Sequence, residues 1–184
     1  MTDPTTTIGI LGGITLVIGA AYPVRKVRHP VQSTKNWLFA VGGAIMLLYS
    51  LLNYQAGGPI FFIFLQVLVN ISSVMMMLNT PDSIDTPIII VAGLALIVWS
   101  LQLFEGYNTI FFIIGLSGIG LGYAFEMGTL RRGIALTFGS ALIALFSYIE
   151  ASWIFFWLNV FFALFSGWYL WKQISAKKPL KEVK

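Results

Sequence analysis

The chain has 184 residues, 58% of them hydrophobic and 10% charged, with a net charge of +4, no cysteine and a mean hydropathy of +0.86. A soluble domain carries about a quarter charged residues, so there is too little polar side chain here to cover a water-soluble globule, and without cysteine there are no disulfides, thiolate chemistry or Cys-ligated metals. The positive balance therefore reads as membrane topology and not as a nucleic-acid footprint.

The chain opens MTDPTTTIGIL, with Asp3 and no basic stretch before the apolar run. That is a poor secretory signal and predicts a first helix that inserts with its N-terminus translocated. Long apolar runs then alternate with short polar turns, the pattern of helices rather than of barrel strands. In lipid a helix satisfies its own backbone hydrogen bonds. Seven spans are predicted, at about 8–23, 37–52, 59–78, 87–104, 108–125, 133–149 and 153–171, several of them shorter than the ~20 residues that cover a hydrocarbon core.

A stretch of the chain is repeated. Val41 to Phe62 aligns without a gap on Val91 to Phe112, placing Gly43 on Gly93, Tyr49 on Trp99 and Ser50 on Ser100. A third copy runs from Phe138 to Phe156, where Phe146-Ser147 match Tyr49-Ser50. Each copy is a helical hairpin, and such repeats set an architecture. The first helix has no hairpin partner, but its Gly9-x-x-x-Gly13 answers Gly118-x-x-x-Gly122 of the fifth. The expected plan is 3+1+3: a first triple-helix unit at 1–79, a linker helix at 80–105, a second unit at 106–174 and a basic tail at 175–184. A single-span linker makes the two units parallel repeats about the membrane normal.

Charge gives the orientation. All 11 Lys and Arg fall in the first loop, the fifth loop and the stretch after the seventh span, and none in the three outer loops, the second, fourth and sixth, which hold Glu105 and Glu150. Positive residues stay on the cytoplasmic side, so the N-terminus is expected outside and the C-terminus in the cytoplasm. A plasma or bacterial inner membrane fits this, and so does an internal one.

On these features the chain resembles the SWEET and SemiSWEET transporters and the wider PQ-loop families. Its first half is the more similar: Tyr22-Pro23 ending the first helix, Arg25-Lys26, Ser33-Thr34-Lys35, Gly42 with Leu48-Tyr49, then Pro59-Ile60. The series Gly42-Gly43, Tyr49, Pro59, Gln66 also resembles the small membrane domain associated with lipid A disaccharide synthases. Where the family carries Pro-Gln, this chain has Pro23-Val24, and the second unit has no proline after Tyr123. The family tryptophan of the second helix aligns with Met46 and Ile143. The resemblance implies a facilitative transporter that works by alternating access, a sugar as solute class and Pro23 as a hinge. The family's asparagine in the third helix of each unit is closest to Gln66 and Asn159.

Those two residues are also singled out by spacing. Gln66, Asn70 and Ser73 share one face of the third helix, and ninety-three residues on Asn159, Ala163 and Ser166 repeat it on the seventh. Two amide groups aimed at a common axis offer donors and acceptors to a polar solute at mid-membrane, where such sites lie, so the expected substrate-binding set is Gln66 and Asn159 with Asn70 supporting them. The competing reading is that Gln66, Asn70 and Asn159 hydrogen-bond between helices as packing glue, at about 0.6–2 kcal/mol each. Ser50, Ser100 and Ser147 recur at one repeat position, where serines are expected to let helices approach closely or to bond back to their own backbone. His29 stands without Cys or carboxylate neighbours, so no metal is predicted, and no cofactor.

No ionisable residue lies deep in a span, and no nucleophile–base set or carboxylate pair is present. An enzyme is therefore not expected, and an uncoupled facilitator is the better transporter reading. The rival function is a non-transporting scaffold, assembly factor or complex subunit, alone or as a homo-oligomer. A cavity lined by Gln66 and Asn159 favours transport, and aromatic packing through the axis favours a scaffold. A lipid-handling role predicts a lateral opening between helices.

Overall fold

A computed structural model describes residues 3–22, 29–126 and 128–176. The predicted hinge Pro23, the basic residues Arg25, Lys26 and Arg28, and Lys177 to Lys184 lie outside them. Among the described residues seven α-helices follow one another: α1 Pro4–Ala21, α2 Thr34–Gln55, α3 Phe61–Leu78, α4 Asp82–Gln102, α5 Tyr107–Ala124, α6 Leu130–Ile149 and α7 Trp153–Ala176. A short 3-10 turn, Pro30–Gln32, precedes α2. All seven are long and apolar enough to cross a membrane. This is a multi-pass helical membrane protein, with no strand among the described residues.

α1, α2 and α6 start three or four residues before the predicted spans, where polar residues cap them. Asp3 accepts from the Thr5 N–H, Ser33 from Asn36 and Thr129 from Arg132, each meeting a donor the first turn leaves free. Pro87 sits in the second turn of α4 instead of opening it. Gly57 and Gly128 turn the chain with φ of +94° and +80°.

Each helix packs on its sequence neighbour, α1 on α2, α2 on α3, α5 on α6 and α6 on α7, and α1 closes on α7. With α3 touching α5, six helices form a ring. The seventh, α4, packs against α3 and α5, tied to α5 by the Thr86 hydroxyl donating to Ala124 O at 3.3 Å. Around the outside the surface is apolar: Leu11, Val91 and Leu164 are more than half exposed, as lipid contact requires.

Glycine sets how closely the helices approach. On α1, a Cβ at Gly9 would strike the Tyr49 ring and one at Gly12 would strike Met46. The tightest crossing is α5 on α6. There a Cβ at Gly139 would lie 2.7 Å from Ile119 N and 2.8 Å from Gly115 O. Both are backbone atoms of a packed helix and cannot yield as a side chain would. Gly139→Ala is therefore expected to destabilise the fold by about 1–3 kcal/mol through overpacking, read as a lower unfolding temperature in detergent. An unchanged unfolding temperature would show that α5 and α6 do not cross here.

Ser50, Ser100 and Ser147 are fully buried, and each donates to the carbonyl four residues back, Met46 O, Leu96 O and Ile143 O, at 2.7–2.8 Å. Their hydroxyls are spent on their own helices.

Candidate functional site

The ring encloses a cavity of about 390 Å³ that reaches from the middle of the bundle to one end. Its wall draws on α1, α2, α3, α5, α6 and α7, and α4 contributes nothing to it. Leu16, Leu65, Val69, Ile119, Leu136, Leu158 and Phe162 make most of the shaft. Gln66 and Asn159, only 2% and 4% exposed, lie on this wall. Ser73 and Ser166, one face further along α3 and α7, join them, as the helical spacing predicts. Lys35 and Arg132, from the first turns of α2 and α6, line the cavity toward the end of the bundle.

The two amides are held differently. Asn159 donates its Nδ2–H to Phe155 O at 2.8 Å, one turn back on α7. The Gln66 amide has no hydrogen bond among the described residues, and its Oε1 is buried without a partner. An amide left so in an apolar wall costs about 1–3 kcal/mol, unless something in the cavity completes it.

Asn70 is not brought to the wall. Its Nδ2 donates to Gly43 O at 3.0 Å and Gln66 O at 2.7 Å, binding α3 to α2. The spacing from Gln66 is that of one helical face, but Gly43 lacks a side chain, so the α2 backbone comes close enough to capture the amide. Asn70 therefore works as helix-packing glue in this structure, and it orients the backbone beneath Gln66.

Beyond the amides the axis is closed by rings. Phe62 and Phe155 stack in parallel, with centroids 4.0 Å apart and planes within 1°. Phe146 packs on Phe61, Phe62 and Phe112 at 5.2–5.7 Å, and Tyr49 lies on Phe155 at 5.4 Å. Phe62, Phe112, Phe146 and Phe155 are fully buried. Since Phe62 precedes Gln66 by four residues and Phe155 precedes Asn159 by four, the stacked pair sits one turn, about 5.4 Å, from the amides. Past the rings is a shallow vestibule bordered by Asn53, Glu105 and Glu150, where the Asn108 amide donates to Glu150.

Lys35 and Arg132 read from the sequence as topology charges, yet both line the cavity. The Lys35 Nζ donates to Ala20 O at 3.3 Å and Tyr22 O at 3.0 Å, and Arg132 donates to Phe125 O at 3.0 Å while lying 5.9 Å from the Tyr123 ring centroid. Each cation thus closes the carbonyl end of the preceding helix. The signal in the sequence was a basic residue two or three positions into a helix, directly after a span.

No cluster of His, Cys, Asp or Glu suited to a metal occurs among the described residues. No protein-family model, curated protein or solved structure matches the chain.

Proposed function

We propose that this protein is an uncoupled facilitator, which lets a small polar solute equilibrate across the membrane by alternating access. The observation that carries this reading is the unpartnered, buried Gln66 amide on the wall of a cavity open at one end and sealed by stacked rings at the other. A closed seal on one side of a mid-bundle site, with a path on the other, is the arrangement one state of such a carrier needs.

The SWEET-like 3+1+3 plan belongs to this proposal, with its units at 1–79 and 106–174 and linker at 80–105. It is supported by paired details. Met46 and Ile143, Tyr49 and Phe146, and Ser50 and Ser147 are buried at matching places on α2 and α6. Lys35 reaches Tyr22 O as Arg132 reaches Phe125 O. Phe62 with Gln66, and Phe155 with Asn159, recur at one offset. The peripheral α4 is what a linker would be. Asn70 supports the Gln66 backbone, and Pro23 keeps its proposed role as hinge.

By the charge pattern the cavity opens to the cytoplasm, with the N-terminus outside. A reporter fused after Lys184 is expected to be active only when its activity requires the cytoplasm, and activity outside would overturn this orientation. Function is tested by counterflow in proteoliposomes, using radiolabelled small sugars and small organic anions. Saturable exchange above empty liposomes is expected, and folded protein that exchanges none of them would leave the scaffold reading in its place. That reading has its own observation, the aromatic packing through half of the axis.

A further inference from the structure

The cavity wall is unequally suited to different solutes. A neutral sugar brings hydroxyl groups on every side, and an unpaired hydroxyl moved from water into apolar surroundings costs about 1–3 kcal/mol. The shaft offers it Leu65, Val69, Ile119, Leu136 and Phe162, with polar side chains only at intervals. Toward the end of the bundle the wall carries two cations from different helices, Lys35 and Arg132, and no carboxylate among the described residues. Their bonds to Ala20 O, Tyr22 O and Phe125 O use two of the three ammonium donors and one of the five guanidinium donors. Both also stand at the N-terminal ends of helices of 22 and 20 residues, where the helix dipole adds positive potential. The buried, unpartnered Gln66 amide, deeper on the same wall, is a second and independent sign that the cavity is made to hold something.

Building on the transport reading, we infer that the cavity takes an amphiphilic organic anion, with its phosphate or carboxylate between Lys35 and Arg132, its slim and mainly apolar body along the shaft, and a hydrogen-bonding group at its far end against Gln66. With no carboxylate among the described residues of the wall, the two cations can balance a phosphate monoester, which carries roughly −1.5 to −2 at neutral pH. Arg132 can take its oxygens in a forked pair of bonds and Lys35 as a point charge. The same chemistry comes either from a dissolved solute or from the headgroup of an anionic lipid.

The test is binding, so it does not depend on transport. The protein is placed in phosphatidylcholine nanodiscs and its unfolding temperature followed against phenyl phosphate, phenyl glucoside and inorganic phosphate at fixed ionic strength. Phenyl phosphate is expected to raise the unfolding temperature saturably, with an affinity at least about tenfold above phenyl glucoside, and to weaken with added salt. Lys35→Gln with Arg132→Gln should lose this response. Because both cations cap helices, Lys35→Arg with Arg132→Lys is the companion variant that keeps the charge, and it should retain the response.

If phosphatidic acid in the disc displaces phenyl phosphate, the anion is a lipid headgroup. If it does not, the source is a dissolved solute. Equal binding of phenyl glucoside, no response in folded protein, or a response indifferent to salt and to the neutral variant would overturn the inference. Sugar counterflow without phenyl phosphate binding would sink this inference alone. Phenyl phosphate binding without counterflow of any solute would sink the transport reading alone.

Discussion

Gln66→Leu is expected to leave the protein as stable as before, or more so, while weakening the solute affinity of saturable exchange about tenfold or more. The Gln66 amide makes no hydrogen bond among the described residues and its oxygen is buried. Removing a buried, unpartnered polar group relieves its desolvation cost, about 1–3 kcal/mol. A residue acting as glue between helices behaves oppositely, losing roughly 0.6 kcal/mol of stability with exchange intact. The pair of measurements therefore separates the two roles that spacing alone left open. Asn159→Ala gives up its bond to Phe155 O, so a small loss of stability accompanies its weakened exchange. For either variant, loss of one solute hydrogen bond corresponds to a fall in affinity of about tenfold or more, at 1.4 kcal/mol per tenfold. Exchange that persists unchanged in both would move the site elsewhere.

The second large effect is expected at the ring seal. Phe155 is fully buried, stacked on Phe62 at 4.0 Å and touched by Tyr49. Phe155→Ala removes the stack and leaves a void where the cavity meets the vestibule beside Glu150. Truncating a packed phenylalanine costs about 3 kcal/mol, so the unfolding temperature should fall clearly. In proteoliposomes the same variant should pass small solutes without saturation, since the barrier between the cavity and the vestibule is then open. Phe155→Leu, which still fills most of the space, should restore the barrier. Stability lost without any added flux would mean that these rings are a structural core and not a gate.

Asn70 shows the limit of reasoning by helical face. Its position four residues after Gln66 predicted a third amide in the site, but the approach of Gly43 drew it into the α2–α3 contact instead. The glycines teach the same lesson. Gly9 and Gly13 looked equivalent to Gly118 and Gly122 by spacing, whereas the residues in closest contact are Gly9 and Gly12 on α1, and Gly115, Gly118 and Gly122 on α5. In a soluble helix the apolar stripe reveals which side is buried. A helix in lipid is apolar on every side, so periodicity does not reveal the buried face, and the glycine that fits must be found from the partner.

What the sequence determined by itself is the chain's relation to its solvent and its order of helices. Composition excludes a water-soluble fold, and long apolar runs require helices that satisfy their own backbone. The matched positions of Gln66 and Asn159 were also readable, because an amide in an apolar run stands out against it. Only the tertiary structure placed Lys35 and Arg132 on one wall, diverted Asn70, set Phe62 on Phe155 and left α4 outside the ring. Those outcomes depend on contacts between residues far apart in the chain. In lipid they are decided by close packing and hydrogen bonds rather than by a drive to bury apolar surface, and such short-range fits leave little trace in a one-dimensional pattern.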